Sequence, residues 1–296
     1  MPALDDILAI PGNKPVYLRL RDLLHGRQAI AFAGAGVSAP LYPLWPGLLK
    51  SLARAPVELG LASAADEEYW LRTAANRPLQ VASQIHQKLT DAHYYPFLYE
   101  TFKDRLPFFT PAHDALIRCN FKAWITTNYD QGLVEARRVR RPEIRDTGFA
   151  IWNQPAEIER WLSGDRFVAD SGPILFAHGH FADAPNIVLD HDSYRRAYAT
   201  QVYRRFYEDL WIKEHLVFAG FSFNDVTLGA IADEIVGRFT YAGAPRHIAI
   251  LALSDDDTYN EGMRREYLET FHADALFYPA PAGDHSALVA LLESLA

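Results

Sequence analysis

Four short segments carry residue types capable of chemistry, and each follows an apolar run. They are GAGVSAP (34–40), TTNYD (126–130), HGH (178–180) and GFSFND (220–225). Glycines in the first let a backbone approach an anionic ligand closely, and amides at a helix start offer hydrogen bonds and a positive dipole end. A plain strand-to-helix turn would look the same. Histidine as a residue type titrates near neutrality, so His178 fits a general base if it lines a cleft; a histidine satisfied by a backbone carbonyl is the structural alternative. Asn128, Asp130, Ser222 and Asp225 are equally at home as helix or turn caps. Four such segments, each after its own strand, point to a shared site.

The elements that would position them are six apolar runs of strand length, at 28–34, 121–127, 173–179, 216–222, 247–253 and 274–280. Near-continuous apolar strands alternating with helical patterns predict a parallel sheet covered on both faces. In such sheets ligands bind beyond the carboxyl ends of the strands, near the point where strand order reverses. The expected fold is therefore a Rossmann-like α/β domain spanning residues 1–296. Residues 47–111, with patterns such as LQVASQIHQKL, are expected to form a helical insert lobe between the first two strands. The stretch 137–172 is expected to mix loops with one short helix at PAEIERWL.

Composition narrows the function classes. The 296 residues carry a net charge of −8, which disfavours passive nucleic-acid binding, because that affinity rests on Lys and Arg neutralising phosphates. The basic run 136–145 is a local exception. A single cysteine, Cys119, excludes an intramolecular disulfide and a cysteine-rich zinc site. The amino-terminal residues lack the pattern of a secretory signal, and no apolar run approaches the ~20 residues of a membrane span, so a cytoplasmic protein is expected.

In this order, GAGVS, TTNYD, HG and GFSFND resemble the sirtuin superfamily, the silent-information-regulator type of NAD-binding domain. Pro43 and Trp45 stand where that family's cofactor loop carries a proline and an aromatic. Deacylases of the family hold zinc with four cysteines, which this chain lacks, and TTNYD and GFSFND depart from the deacylase forms. The variants look like the zinc-free sirtuin-like domains of prokaryotic anti-phage defence. The resemblance implies hydrolysis of NAD to nicotinamide and ADP-ribose, depleting the infected cell, with NAD as substrate and no metal.

It further implies roles for individual residues. Asn128 would orient a water or a ribose hydroxyl, His178 would accept a proton, and Asp130 would hold the ribose or offset positive charge, with Thr127 beside them. The amides of Gly34, Ala35 and Gly36, with the Ser38 hydroxyl, would meet the diphosphate. Gly220, Ser222 and Phe223 would line the adenosine side, Asp225 would brace that loop, and Asp284 is a further adenosine contact or a helix cap. A non-catalytic sensor or assembly module binding NAD or ADP-ribose is the alternative, with a zinc-independent deacylase or ADP-ribosyltransferase third. An uncontrolled NAD hydrolase would harm its host, so a homo-oligomer or a separate sensor chain is expected as regulator.

Overall fold

A computed structural model describes residues 4–143, 148–163, 172–221, 229, 232 and 246–296. Ser222, Phe223 and Asp225, and the carboxyl end of the basic run, lie outside the described residues. Seven strands are described: β1 (Ala29–Ala33), β2 (Ala123–Thr126), β3 (Ala150–Ile151), β4 (Ile174–Phe176), β5 (His215–Ala219), β6 (His247–Leu253) and β7 (Ala273–Pro279). They form one parallel sheet in the order β3-β4-β2-β1-β5-β6-β7. The Rossmann-like α/β architecture expected from the apolar runs is the one observed. The chain builds outward from β1 on one side, then crosses back at β5, so strand order reverses beside β1.

Burial on both faces explains why these strands read as unbroken apolar runs rather than alternating ones. Ala29, Ala31 and Ala33 of β1 face one core cluster, and Ile30 and Phe32 face the other. The first face is covered by α1 (Leu4–Ala9), α2 (Asn13–His25), α6 (Pro111–Arg118), α7 (Gly132–Arg140) and the last helix, Ser286–Glu293. The second is covered by α8 (Pro155–Leu162), α10 (Gln201–Lys213) and the helix Asp257–Phe271. Cys119 belongs to the first core; burial pushes its thiol up to about 12, and its Sγ–H points at the Leu292 carbonyl.

Register then fixes the site. Ala33 pairs with Thr126 on one side and Ala219 on the other, and Thr126 pairs with Phe176. Those last strand residues lie in one row across the sheet. Gly34, Thr127, Ala177 and Gly220, the next residues along, start from one edge. Four neighbouring strand tips thus carry the four chemistry-bearing segments.

Between β1 and α6 lie three further helices: α3 (Trp45–Glu58), α4 (Ala64–Ala74) and α5 (Pro78–Phe102). Their apolar faces, Leu48, Leu52, Trp70, Val81, Ile85 and Leu98 among them, form a third core. That core also takes in Tyr129, Phe181, Ile187 and Leu189, so the helices rest on the segments that follow β2 and β4. α5 is two helical pieces joined at Thr90, whose φ of 54° breaks the helix.

Candidate functional site

The glycine turn after β1 packs directly on the turn after β5. Gly34 N–H donates to the Ala219 carbonyl at 3.0 Å, and Gly36 N–H donates to the Gly220 carbonyl at 2.8 Å. Side chains would not fit. A Cβ on Gly34 would sit 2.6 Å from the Gly220 oxygen, and one on Gly36 would sit 2.8 Å from the Gly220 Cα. Gly220 has a φ of +62°, the left-handed region that suits glycine. These glycines close the β1/β5 junction itself, and two of the three amides expected to meet a diphosphate are engaged there. The Ala35 N–H has no partner among the described residues.

Behind the turn lies a buried polar network. Asn128 donates from Nδ2 to the Gly34 carbonyl at 2.9 Å and to Ser38 Oγ at 2.7 Å. Ser38 Oγ donates to Asp130 Oδ2 at 2.7 Å. Asp130 Oδ1 accepts the Gly132 N–H at 2.9 Å, at the start of α7, where the helix dipole favours an anion. A histidine that sequence reasoning passed over completes the set: His113 Nε2 stands 3.2 Å from Ser38 Oγ. Ser38, His113 and Asp130 are almost wholly enclosed, while Asn128 retains 8% exposure. Both protons of the Asn128 amide point inward, so its open end is the acceptor Oδ1, which has no partner among the described residues.

His178 stands beyond β4, two strands from the glycine turn. Backbone bonds tie its segment to TTNYD: Ala177 N–H to the Thr126 carbonyl (2.8 Å) and Phe181 N–H to the Tyr129 carbonyl (2.9 Å). The Tyr129 hydroxyl donates to the Val188 carbonyl, and the Val188 N–H returns to the His178 carbonyl. The His178 ring is buried against α9 (His191–Ala199), with Nε2 3.5 Å from the Tyr198 hydroxyl and the ring edge-on to Tyr194. Its neighbour His180 points elsewhere, among Phe149, Phe176 and Phe181; burial pulls its pKa down to about 4. Of the two histidines, His178 is the one nearer the strand tip, with the Tyr198 hydroxyl beside its ring.

Residues 122–276, more than half of the chain, match the family model described as a SIR2-like domain. The chain belongs to the SIR2-like family. No curated protein matches it. SIR2-like domains are generally NAD-dependent enzymes, so membership assigns this chain an NAD-related activity. The match spans TTNYD, HGH and GFSFND but begins after the glycine turn and the helical lobe.

The remaining predicted residues of this SIR2-like chain divide. Thr127 joins the site: its N–H donates to the Ala33 carbonyl at 3.2 Å, on the row between Gly34 and Asn128. Trp45 opens α3 and packs partly against the lobe core, and Pro43 lies just before it, 3.6 Å from where a Cβ on Gly47 would stand. Asp284 is exposed beyond β7, at the sheet's far edge, and caps the last helix by accepting the Ser286 N–H and hydroxyl. Among the described residues, no hydrogen bond or ion pair brings it to the site. The basic run on α7 is spent within the fold: Arg137 donates to the Gly172 and Gly148 carbonyls, Arg138 pairs with Glu135, and Arg140 with Asp114. No helix of the described residues is long and apolar enough to cross a membrane.

Sequence signals for His113 were present but mute. Thr110-Pro111-Ala112-His113 has the spacing of a capping box, with histidine where Glu or Gln is usual. Only the fold shows that the same ring reaches Ser38, 75 positions earlier.

Proposed function

We propose that this protein hydrolyses NAD to nicotinamide and ADP-ribose. The carrying observation is Asn128: a buried network fixes its amide so that an acceptor oxygen stands open beside the glycine turn. NAD chemistry suits such a group. When the bond between ribose C1′ and the pyridinium nitrogen breaks, its electron pair stays on that nitrogen, and nicotinamide leaves neutral. No general acid is needed, so the paired carboxylates of ordinary glycosidases are not required. A water oxygen then bonds to C1′ and gives up one proton. Asn128 Oδ1 accepts from that water or from a ribose hydroxyl, and His178 takes up the proton, a role worth ~10²–10⁴-fold in rate. Asp130, turned inward to Ser38 and Gly132, acts through these neighbours. On the diphosphate side the open donor is the Ala35 N–H, at a turn whose other amides are occupied.

The direct test incubates the purified protein with NAD and follows nicotinamide and ADP-ribose by chromatography. Turnover that disappears in both Asn128→Ala and His178→Ala supports the reading; equal rates in wild type and both variants would remove these residues from the reaction. The near-complete enclosure of His178 favours a second reading in one respect, because a histidine shielded from solvent also suits a module that holds NAD or ADP-ribose without cleaving it. Tight binding without turnover in any assembly state would select that module.

The same enclosure motivates regulation. We propose an effector of prokaryotic anti-phage defence, silent until self-assembly or a sensor chain opens the site, acting by NAD depletion. NAD levels measured during phage challenge test the role, and size-exclusion chromatography tests the assembly: a permanent monomer with full activity argues against it.

A further inference from the structure

The geometry points to His113 as a positioning residue that sets which end of the Asn128 amide faces the site. Its first support is hydrogen-bond direction. The Thr110 backbone N–H donates to His113 Nδ1 at 3.2 Å, and an N–H can only donate. The ring proton therefore lies on Nε2, and it is donated to Ser38 Oγ at 3.2 Å. The Thr110 hydroxyl gives its own proton to the Val37 carbonyl at 2.5 Å, which ties the cap to the glycine turn. Ser38 Oγ has one proton, and it goes to Asp130. Receiving from His113 and Asn128 fills the oxygen's two acceptor positions. Asn128 must then present Nδ2 to Ser38, as the Gly34 carbonyl also demands, and Oδ1 is left outward.

Packing supplies a second support. His113 is fully buried, and burial pulls its pKa down against the pull of Asp130, so the ring is neutral and keeps one proton to place. A Cβ on Gly132 would lie 2.3 Å from His113 Cε1 and 2.8 Å from Asp130 Oδ1. Gly132, at the start of α7, thus leaves room for the imidazole edge beside Asp130. The ring has no contact with the open side of Asn128, so it orients that group rather than touching a ligand.

This inference rests on the reading of Asn128 as the ligand-facing group, and its experiment separates the two. The Asn128 side-chain amide pair is observed by 1H–15N NMR without any ligand, assigned by its loss in Asn128→Asp. In wild type and in His113→Gln, which keeps a donor toward Ser38, the pair is protected from solvent exchange; in His113→Leu protection is lost. In parallel, kcat for NAD falls about 10²-fold in His113→Leu, as expected when a reacting-site group is misplaced, while KM stays within about threefold. His113→Gln recovers most of that loss, and in an Asn128→Ala background His113→Leu has no further effect. If His113→Leu is too unstable to study, Gly132→Ala perturbs the same ring from its other side and should give the same amide signature. An Asn128 amide pair that is equally protected in folded His113→Leu overturns the proposal, as does a His113→Leu effect that adds in full to Asn128→Ala. A wild type with a protected amide pair but no NAD turnover leaves the positioning role supported and removes the hydrolase reading instead.

Discussion

Asn128 and Gly34, 94 positions apart, are joined by a single 2.9 Å hydrogen bond from a side-chain amide to a backbone carbonyl. The bond is possible because Ala33 and Thr126 are register partners, so the residues after them leave the sheet side by side. It makes the turn after β2 and the turn after β1 one unit. Together with the bond to Ser38 Oγ, it gives an amide that could face either way a single orientation.

Asn128→Asp tests this orientation with almost no change of shape. A carboxylate oxygen would replace the donor that meets the Gly34 carbonyl, setting two acceptors against each other in a buried place. The variant should lose about 1–3 kcal/mol of stability in urea titration, the cost of an unsatisfied buried polar pair. NAD turnover should fall by at least about 10²-fold. Wild-type stability would mean that the carbonyl contact contributes nothing.

The glycines separate cleanly by environment. Gly220→Ala places a Cβ 2.5 Å from the Val37 nitrogen in a left-handed backbone, and should cost at least about 1–2 kcal/mol while opening the β1/β5 junction. Gly262, within the helix Asp257–Phe271, has nothing within 4 Å of an added Cβ; Gly262→Ala should be neutral or stabilise by about 0.5–1 kcal/mol. Chemical denaturation of the two variants beside wild type decides the contrast. A harmless Gly220→Ala would show that the glycine contact is incidental.

How far this arrangement can be read from sequence depends on the range of the interaction. The apolar runs at 28–34 and 247–253 announce β1 and β6, because burial on both faces leaves an unbroken signature. β3 escapes notice: Ala150–Ile151 is two residues long, and no periodicity exists over two residues. The segments after the strands are legible as polar punctuation, and their convergence follows from parallel-sheet topology. What each does is less legible. GAGVS shows three amides and a hydroxyl in a row, but the structure engages Gly34 and Gly36 with β5 and Ser38 with Asp130, pairings set by neighbours far along the chain. His113 is hidden for the same reason, as its local role as a helix cap masks its distant one.

Three buried histidines predict loss of stability in acid. Burial lowers the pKa of His113, takes His180 to about 4 and takes His247 to about 3, from an ordinary value of 6.5. Each ring is neutral when folded and protonates more readily once unfolded. Their contribution is therefore complete above pH 6.5 and is lost progressively as pH falls toward the folded values. Each histidine adds up to about 1.4 kcal/mol per pH unit to the slope within that window. Urea titrations from pH 7 to 4.5 should show this slope, shallower in His180→Asn, where Oδ1 can still accept the Ala182 N–H that His180 Nδ1 accepts. An identical slope in that variant would show that His180 is not among the groups responsible.

His86 should act in the opposite sense. Its Nδ1 lies 2.7 Å from Asp190 Oδ2 and its Nε2 2.9 Å from Asp91 Oδ1, while the ring stacks on Tyr94 and meets Tyr95 edge-on. Burial alone would lower its pKa, but the two carboxylates outweigh that and raise it above the ordinary 6.5. Asp190 is held below its ordinary value, since bonds from His86 and Ser193 outweigh its own burial. Asp91 is largely exposed, so its share is screened by solvent, and the enclosed Asp190 carries the pair. The stabilisation is present below pH 6.5 and is lost as pH rises through the folded value. The consequence reaches the site, because Asp190 caps α9, and α9 carries the Tyr194 and Tyr198 that contact His178. Between pH 6 and 9 wild type should lose stability in urea titrations while His86→Gln, already lacking the charge, stays nearly flat. NAD turnover should follow the same divergence if α9 steadies His178. Parallel stability curves for the two proteins would show that the His86–Asp190 contact is not an ion pair in solution.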